Sequence, residues 1–158
     1  TMKIKLLVIG KTNKNYLIEG EKVYEERLSH YCKFSELIIP DIKNGAKFTK
    51  NELRIKEGKL IISKLNNGDE VILLDEKGKQ YSSIEFSNFI SNTVMVRTKS
   101  LVFIIGGAFG FSKEVYTRAD SKMSLSKMTF SHQMVRMIYK EQLYRAFTIT
   151  NGEKYHNE

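Results

Sequence analysis

Cysteine and histidine are scarce in this sequence. Among its 158 residues there is one cysteine, Cys32, and three widely separated histidines, His30, His132 and His156. One cysteine cannot form an internal disulfide, and the histidines lack the spacing of a zinc site. The scarcity argues against a disulfide-stabilised secreted scaffold and predicts a metal-free protein of a reducing cytoplasm. Cys32 follows a helical pattern, where an ordinary half-buried thiol is a better interpretation than a nucleophile.

Long apolar runs are also missing. The longest, such as residues 101–105, are far too short for a bilayer core about 30 Å thick, so we expect no contact with a membrane. No signal peptide is expected before the first strand, and Met2, after Thr1, is expected to be the natural start. The length, with 41% hydrophobic and 28% charged residues, predicts one globular domain over residues 1–158.

Acidic side chains are too few to balance the basic ones. The sequence has 26 Lys and Arg against 18 Asp and Glu, a formal net charge of +8. The excess lies outside residues 70–111, which carry four side chains of each sign. A basic body around a neutral segment suits a protein that binds nucleic acid outside and a compact ligand inside, although a merely soluble basic protein remains an alternative.

The stretch 101–114, LVFIIGGAFGFSKE, is the centre of the pattern. Five apolar residues lead into Gly106 and Gly107, and Ser112 can cap a helix that begins at Lys113. Continuous apolar character is typical of a strand covered on both faces, as in a parallel sheet whose ligands bind beyond the carboxyl ends of the strands. We therefore expect a small molecule near Gly106, with a tight turn lacking any ligand as the alternative.

Strands and helices alternate along the chain. Thr49 and Glu52 have capping-box spacing before the second helix, and Asp75 begins a predicted turn over 75–79. The lysines at 43, 47 and 50 fit either phosphate contacts or, as we favour, a solvated loop. The pattern predicts an α/β fold with a mostly parallel sheet. The predicted strands are 3–9, 34–39, 70–74 and 101–105, and the helices are 15–31, 49–64 and one that begins at Ser82 or Ser83.

The last third combines a strand and turn over 121–130 with a long helix over 131–149. One helical stripe is apolar, and another carries His132, Arg136, Lys140 and Tyr144. This second stripe is either functional or solvated, and spacing alone favours a solvated face. Glu141 and Arg145 have the i, i+4 spacing of an ion pair that supports a helix.

Three segments and the tail resemble a known family. FIIGGAFGFSKE, SLSKMTF and HQMVRMIYKEQLYRAFTI, with the terminal Tyr155-His156, resemble the rRNA large subunit methyltransferase H family, and so does the opening KIKLLVIGKT. The resemblance covers essentially the whole chain. These are SPOUT-class enzymes that transfer methyl from S-adenosylmethionine to N3 of a pseudouridine in 23S rRNA. The resemblance implies a homodimer and a SPOUT-type α/β knot, a deep C-terminal trefoil that periodicity alone does not predict.

The resemblance also implies the site residues. Ser131 replaces a proline common in the family, and Ala108-Phe109 replace a smaller or proline-containing pair, which leaves the shape of the pocket mouth open. The implied partner is 23S rRNA in the large subunit or ribosome. The polar candidates for catalysis or RNA binding are His132, Arg136, Tyr155 and His156, with Tyr144 beside them. The implied cofactor residues are Leu74, Gly106, Leu125, Ser126, Lys127, Met128, Thr129 and Phe130.

Two other functions stay open at this stage. One is a catalytically silent knotted RNA-binding or ribosome-assembly protein. The other is a nucleotide-binding domain that uses GGAFG as a phosphate loop, which is weak because neither a lysine–serine/threonine pair nor GxGxxG spacing follows the strand.

Overall fold

The computed structural model describes residues 2–157, apart from the side chains of Thr93 and Met95. Thr1, expected to precede the natural start, lies outside the described residues. The strands are β1 Lys3–Ile9, β2 Lys33–Ile39, β3 Glu70–Gln80, β4 Ser100–Ile105 and β5 Ser121–Ser124. The helices are α1 Asn15–Leu28, α2 Lys50–Ser63, α3 Ser83–Asn88, α4 Met95–Arg97, α5 Lys113–Arg118 and α6 Met134–Thr150, with a 3₁₀ turn Gly45–Lys47 and a π-helical segment Phe89–Val94.

The five strands form one parallel sheet in the order β2-β1-β4-β3-β5. Side chains alternate between its faces, so each face has its own hydrophobic core. Helices α1, α3 and α6 cover one face around Phe103, and α2 and α5 cover the other around Ile104. The predicted α/β class and the burial of 101–105 on both faces are confirmed.

Local capping signals were read correctly. Thr49 and Glu52 form the predicted capping box of α2, Ser82 forms another at the start of α3, and Ser112 caps α5. The first helix ends at Leu28 and not at residue 31.

The turn predicted over 75–79 is wrong. Strand β3 continues to Gln80, and its register against β5 shifts between Leu74 and Lys79, both of which pair with Met123. The polar residues of this segment form an irregular, bulged continuation of β3, although their composition alone resembles that of a turn. A Cβ at Gly78 would lie 2.5 Å from the backbone of Met123, so only glycine allows this approach.

The solvated stripe predicted on the last helix is also wrong. Lys140 is fully buried, and its Nζ lies 2.7 Å from Glu21 Oε1, 3.1 Å from Glu36 Oε2 and 3.8 Å from Glu25 Oε2. A buried ammonium is tolerated because these carboxylates replace its hydration. The cluster joins α6 to α1 and β2, so it fixes the position of α6. Burial raises the pKa of Glu25, and Lys140 partly opposes that rise.

Cys32 is buried, and its Sγ lies 3.8 Å from the carbonyl oxygen of Leu28. Burial raises the pKa of its thiol to about 12, which keeps it protonated at neutral pH and favours the structural interpretation. No described helix is long and apolar enough to cross a membrane.

Candidate active site

A cleft of about 1000 Å³ opens at the carboxyl ends of β4 and β5 and beside residues 74–77 of β3, where the pairing of β3 with β4 ends. The glycine turn after β4, residues 106–110, forms one wall, and the segment after β5, residues 125–130, forms another. All eight residues implied as cofactor-binding line this single cleft: Leu74, Gly106, Leu125, Ser126, Lys127, Met128, Thr129 and Phe130. Its position matches the rule that ligands of parallel sheets bind beyond the carboxyl strand ends.

The segment 125–130 leaves much of its backbone unpaired. Ser126 O accepts from Ser124 Oγ at 2.8 Å, and Met128 N donates to Ser126 Oγ at 2.9 Å. Within the described chain, the backbone N–H groups of Lys127 and Thr129 have no hydrogen-bond partner. Backbone donors and acceptors of this kind suit the edge of a heterocyclic base, whose polar atoms need fixed partners.

Glycine is required in the opposite wall because the backbone packs tightly there. A Cβ at Gly106 would lie 2.8 Å from the ring of Phe111, which is itself 8% exposed and lines the cleft. A Cβ at Gly107 would lie 2.5 Å from Glu57 Oε1. A side chain at either position would therefore move a neighbour of the cleft.

The two sides of the cleft carry different charges. Lys50 and Arg54 of α2 line one side, where Arg54 Nη1 donates to Phe109 O at 3.2 Å and Lys50 Nζ lies 5.4 Å from the Phe109 ring centroid. Asp75 and Glu76 line the other side together with Lys77 and Lys127, so charges of both signs meet there. The Asp75 carboxylate accepts a hydrogen bond from Tyr116 Oη; burial first, and then this bond, raise the pKa of Tyr116 to about 12.

His132 stands at the lip of the cleft, next to the start of α6. Its side chain keeps solvent access, but partial burial lowers its pKa and the positive charge of Arg136 lowers it further. Its imidazole is therefore neutral at pH 7 and able to accept a proton.

Arg136 does not reach the cleft. It is 1% exposed, with Nη2 donating to Ile9 O at 2.8 Å and Nη1 to Gly10 O at 2.8 Å and Thr12 Oγ1 at 3.2 Å. These bonds attach α6 to the carboxyl end of β1. The catalytic or phosphate-binding role implied for Arg136 has no support in this geometry, because its guanidinium is occupied by backbone carbonyls.

The comparisons with known proteins agree with this architecture. The family model described as "Predicted SPOUT methyltransferase" matches residues 2–156. The chain is 56% identical over 156 residues to the ribosomal RNA large subunit methyltransferase H of Christiangramia forsetii, covering 99% of both chains. The chain belongs to this SPOUT methyltransferase family. Same-named proteins of Cytophaga hutchinsonii and Parabacteroides distasonis are 51% and 50% identical, each matched over 99% of this chain and its own full length.

The resemblance found in the sequence is thereby confirmed at the level of the family. No group of three or more metal-ligating side chains was found among the described residues of this SPOUT chain.

The terminal residues of this SPOUT chain pack on the second half of α6. Tyr155 stacks edge-on against Tyr144 with ring centroids 4.8 Å apart, and its Oη donates to Glu141 Oε1 at 3.3 Å. Arg145 Nη1 lies 3.0 Å from His156 Nδ1, and since a guanidinium only donates, this nitrogen is the acceptor. Val135 at the cleft and Tyr144 are nine positions apart in α6, about 13.5 Å along the axis. Tyr155 and His156 therefore lie away from the cleft of their own chain.

Sequence reasoning missed the contribution of α2. Lys50, Arg54 and Glu57 follow i, i+4 and i+7 spacing, which places them on one helix face, directed at the glycine turn. Burial, and then the nearby Asp41, raise the pKa of Glu57. The spacing was visible in the sequence, but it could not indicate which loop this face contacts.

Proposed function

We propose that this chain is an S-adenosylmethionine-dependent methyltransferase that methylates N3 of a pseudouridine in 23S rRNA of the large ribosomal subunit. The observation that carries the proposal is the convergence of eight family-implied positions on one cleft, one wall of which has unpaired backbone groups. Membership of the SPOUT family and the names of the relatives supply the reaction class. The +8 charge suits an RNA substrate.

The cleft fits the cofactor by its chemistry. Residues 125–130 offer backbone groups to the adenine, while Leu74, Leu125 and Phe130 offer apolar cover. When bound, S-adenosylmethionine supplies an electrophilic methyl group. The protein holds the target base against it and provides an acceptor for the N3 proton. His132, neutral at the lip of the cleft, is one candidate acceptor, and His156 of a second subunit is the other.

The proposal includes a homodimer and a C-terminal knot, both implied by the family. A dimer resolves the distance between the cleft and the tail, because a two-fold axis across α6 would bring the second half of one helix near the start of its partner. In the knot, residues 125–130 would lie in the threaded part of the chain. We place the enzyme in the cytoplasm, where its ribosomal substrate is found.

Methyl transfer from labelled S-adenosylmethionine to whole ribosomes, separated subunits and free rRNA tests the function. Label should enter 23S rRNA, and mapping should place it on N3 of a pseudouridine. Cofactor binding without transfer to any of these RNAs would instead indicate the catalytically silent RNA-binding protein. Binding of ATP or NAD in preference to S-adenosylmethionine would indicate a nucleotide-binding domain.

Gly106→Val should abolish cofactor binding. The new Cβ would meet the Phe111 ring at 2.8 Å, so either the ring or the turn must move, and both line the cleft. Calorimetry with S-adenosylmethionine should detect no binding, while thermal unfolding still shows a cooperative transition. Gly68→Val is the matched control, because a Cβ at Gly68 meets nothing within 4 Å. Affinity within a few-fold of the parent would argue against the assigned cleft.

A further inference from the structure

We propose that a basic rim formed by Lys47, Lys50 and Arg54 binds phosphates of the RNA strand that carries the target base, and that Phe109 stacks on a base of that strand. The inference rests on the proposed function and assigns the substrate to one side of the cleft. Phosphate contacts position an RNA, and unpaired bases are bound by stacking on exposed aromatic rings.

The charges of the rim are not neutralised within the protein. No carboxylate of residues 2–157 forms a salt bridge with Lys47, Lys50 or Arg54, whereas Arg97, Arg118 and Arg145 each have an acidic partner. Lys47 and Lys50 are exposed, and Lys50 and Arg54 line the cleft itself. Unpaired cations beside a reaction site are positioned to bind a polyanion without first breaking an ion pair.

Phe109 lies within this rim. It is 39% exposed, its carbonyl is held by Arg54, and Lys50 lies over its ring. The bond from Arg54 restrains the backbone of Phe109, so less of the turn has to be ordered when a base stacks on the ring. Stacking on an aromatic ring contributes about 1–3 kcal/mol per base in single-stranded complexes.

The opposite side of the cleft carries no excess of positive charge. Asp75 and Glu76 lie there together with Lys77 and Lys127, so the two signs balance, whereas Lys50 and Arg54, the lining residues of α2, are both basic. The α2 side is therefore the one with a net positive charge, and we assign the RNA backbone to it.

The test compares two double variants of equal charge. Lys47→Gln/Lys50→Gln removes two charges from the rim. Lys3→Gln/Lys33→Gln removes two exposed charges from the amino ends of β1 and β2, where the two lysines lie opposite each other. This end of the sheet is the one remote from the cleft. Binding to a labelled single-stranded RNA of mixed sequence is measured from 50 to 300 mM salt, with calorimetry for S-adenosylmethionine.

The rim variant should lose about tenfold in RNA affinity at 100 mM salt. The slope of log K against log salt should become shallower by about 1.4, since each single-strand phosphate contributes about 0.7. The control should stay within about twofold of the parent, and both variants should bind the cofactor normally. Phe109→Ala should lose about tenfold in RNA affinity with an unchanged salt slope.

Equal losses in the two double variants would overturn the rim, because net charge alone would then explain binding. An unchanged RNA affinity of the rim variant would overturn it as well. So would a variant that binds ribosomes more weakly but RNA normally, because a ribosomal protein would then be the contact. Failure of the proposed function would give a different result: the parent would bind RNA with the predicted dependence on the rim but would transfer no methyl group.

In an active enzyme, the rim variant should raise KM for ribosomes and leave kcat unchanged.

Discussion

Lys140→Met is expected to lower the free energy of unfolding by about 3–5 kcal/mol, the usual loss when one partner of a buried ion pair is removed. Methionine fills most of the volume, so the loss comes from charge. The carboxylates of Glu21 and Glu36, which lie 2.7 and 3.1 Å from Nζ, would remain in a buried setting without their cation. Urea unfolding at pH 7, followed by circular dichroism, measures the change.

Two variants serve as controls. One removes a positive charge elsewhere, and the other also removes a carboxylate that Lys140→Met would leave unpaired. Arg97→Met removes a cation from an exposed pair with Glu70 and should cost at most about 1 kcal/mol. Lys140→Met/Glu21→Leu should recover part of the stability, since a buried pair can often be replaced by apolar side chains. A Lys140→Met loss no larger than that of Arg97→Met would contradict the assigned cluster.

The loss of unfolding free energy caused by Lys140→Met should also depend on pH. Burial already raises the pKa of Glu25, and Lys140→Met removes the cation that opposes this rise. The folded variant then binds protons more readily than its unfolded chain, so its stability relative to the parent should improve as the pH falls from 7 towards 5. An unchanged deficit over this range would mean that the carboxylates are not the cause.

This cluster shows where the sequence ceases to predict the structure. The strand 101–105, the Thr49 capping box and the Ser112 cap are local signals, and each was identified from a few neighbouring residues. Lys140 and Glu21 are 119 residues apart. Helical spacing shows that Lys140 shares a stripe with Arg136, but it does not show whether water or distant carboxylates cover that stripe.

The candidate site also contains some residues that physical reasoning on the sequence predicts and others that it does not. A glycine turn after a buried strand predicted a ligand near Gly106 from physical reasoning alone. Residues 125–130 came only from the family resemblance, because a loop that binds through its backbone leaves little trace in its side chains. The resemblance implied Arg136 as a candidate for catalysis or RNA binding, whereas here its side chain donates to the backbone at the carboxyl end of β1.

Removing residues 155–158 is expected to leave S-adenosylmethionine binding nearly intact and to lower methyl transfer about a hundredfold, the usual scale for lost acid–base help. The tail packs beside Glu141, Tyr144 and Arg145, away from the cleft of its own subunit, so its removal should not alter the cofactor walls. Removing only residues 157–158 keeps Tyr155 and His156 and serves as the control.

The same truncation tests whether the active site is shared between subunits of the proposed dimer. If the tail of one subunit completes the cleft of the other, a heterodimer of a truncated subunit and a Gly106→Val subunit has one site with both lesions and one with neither. It should recover about half of the parent activity, far above either homodimer, because two-fold symmetry gives the parent two equivalent sites. Differently tagged subunits allow the heterodimer to be purified and its methyl transfer to ribosomes to be measured. If each tail serves its own cleft, both sites of the heterodimer carry one lesion, so an inactive verified heterodimer would contradict the shared site and leave the tail acting within its own subunit.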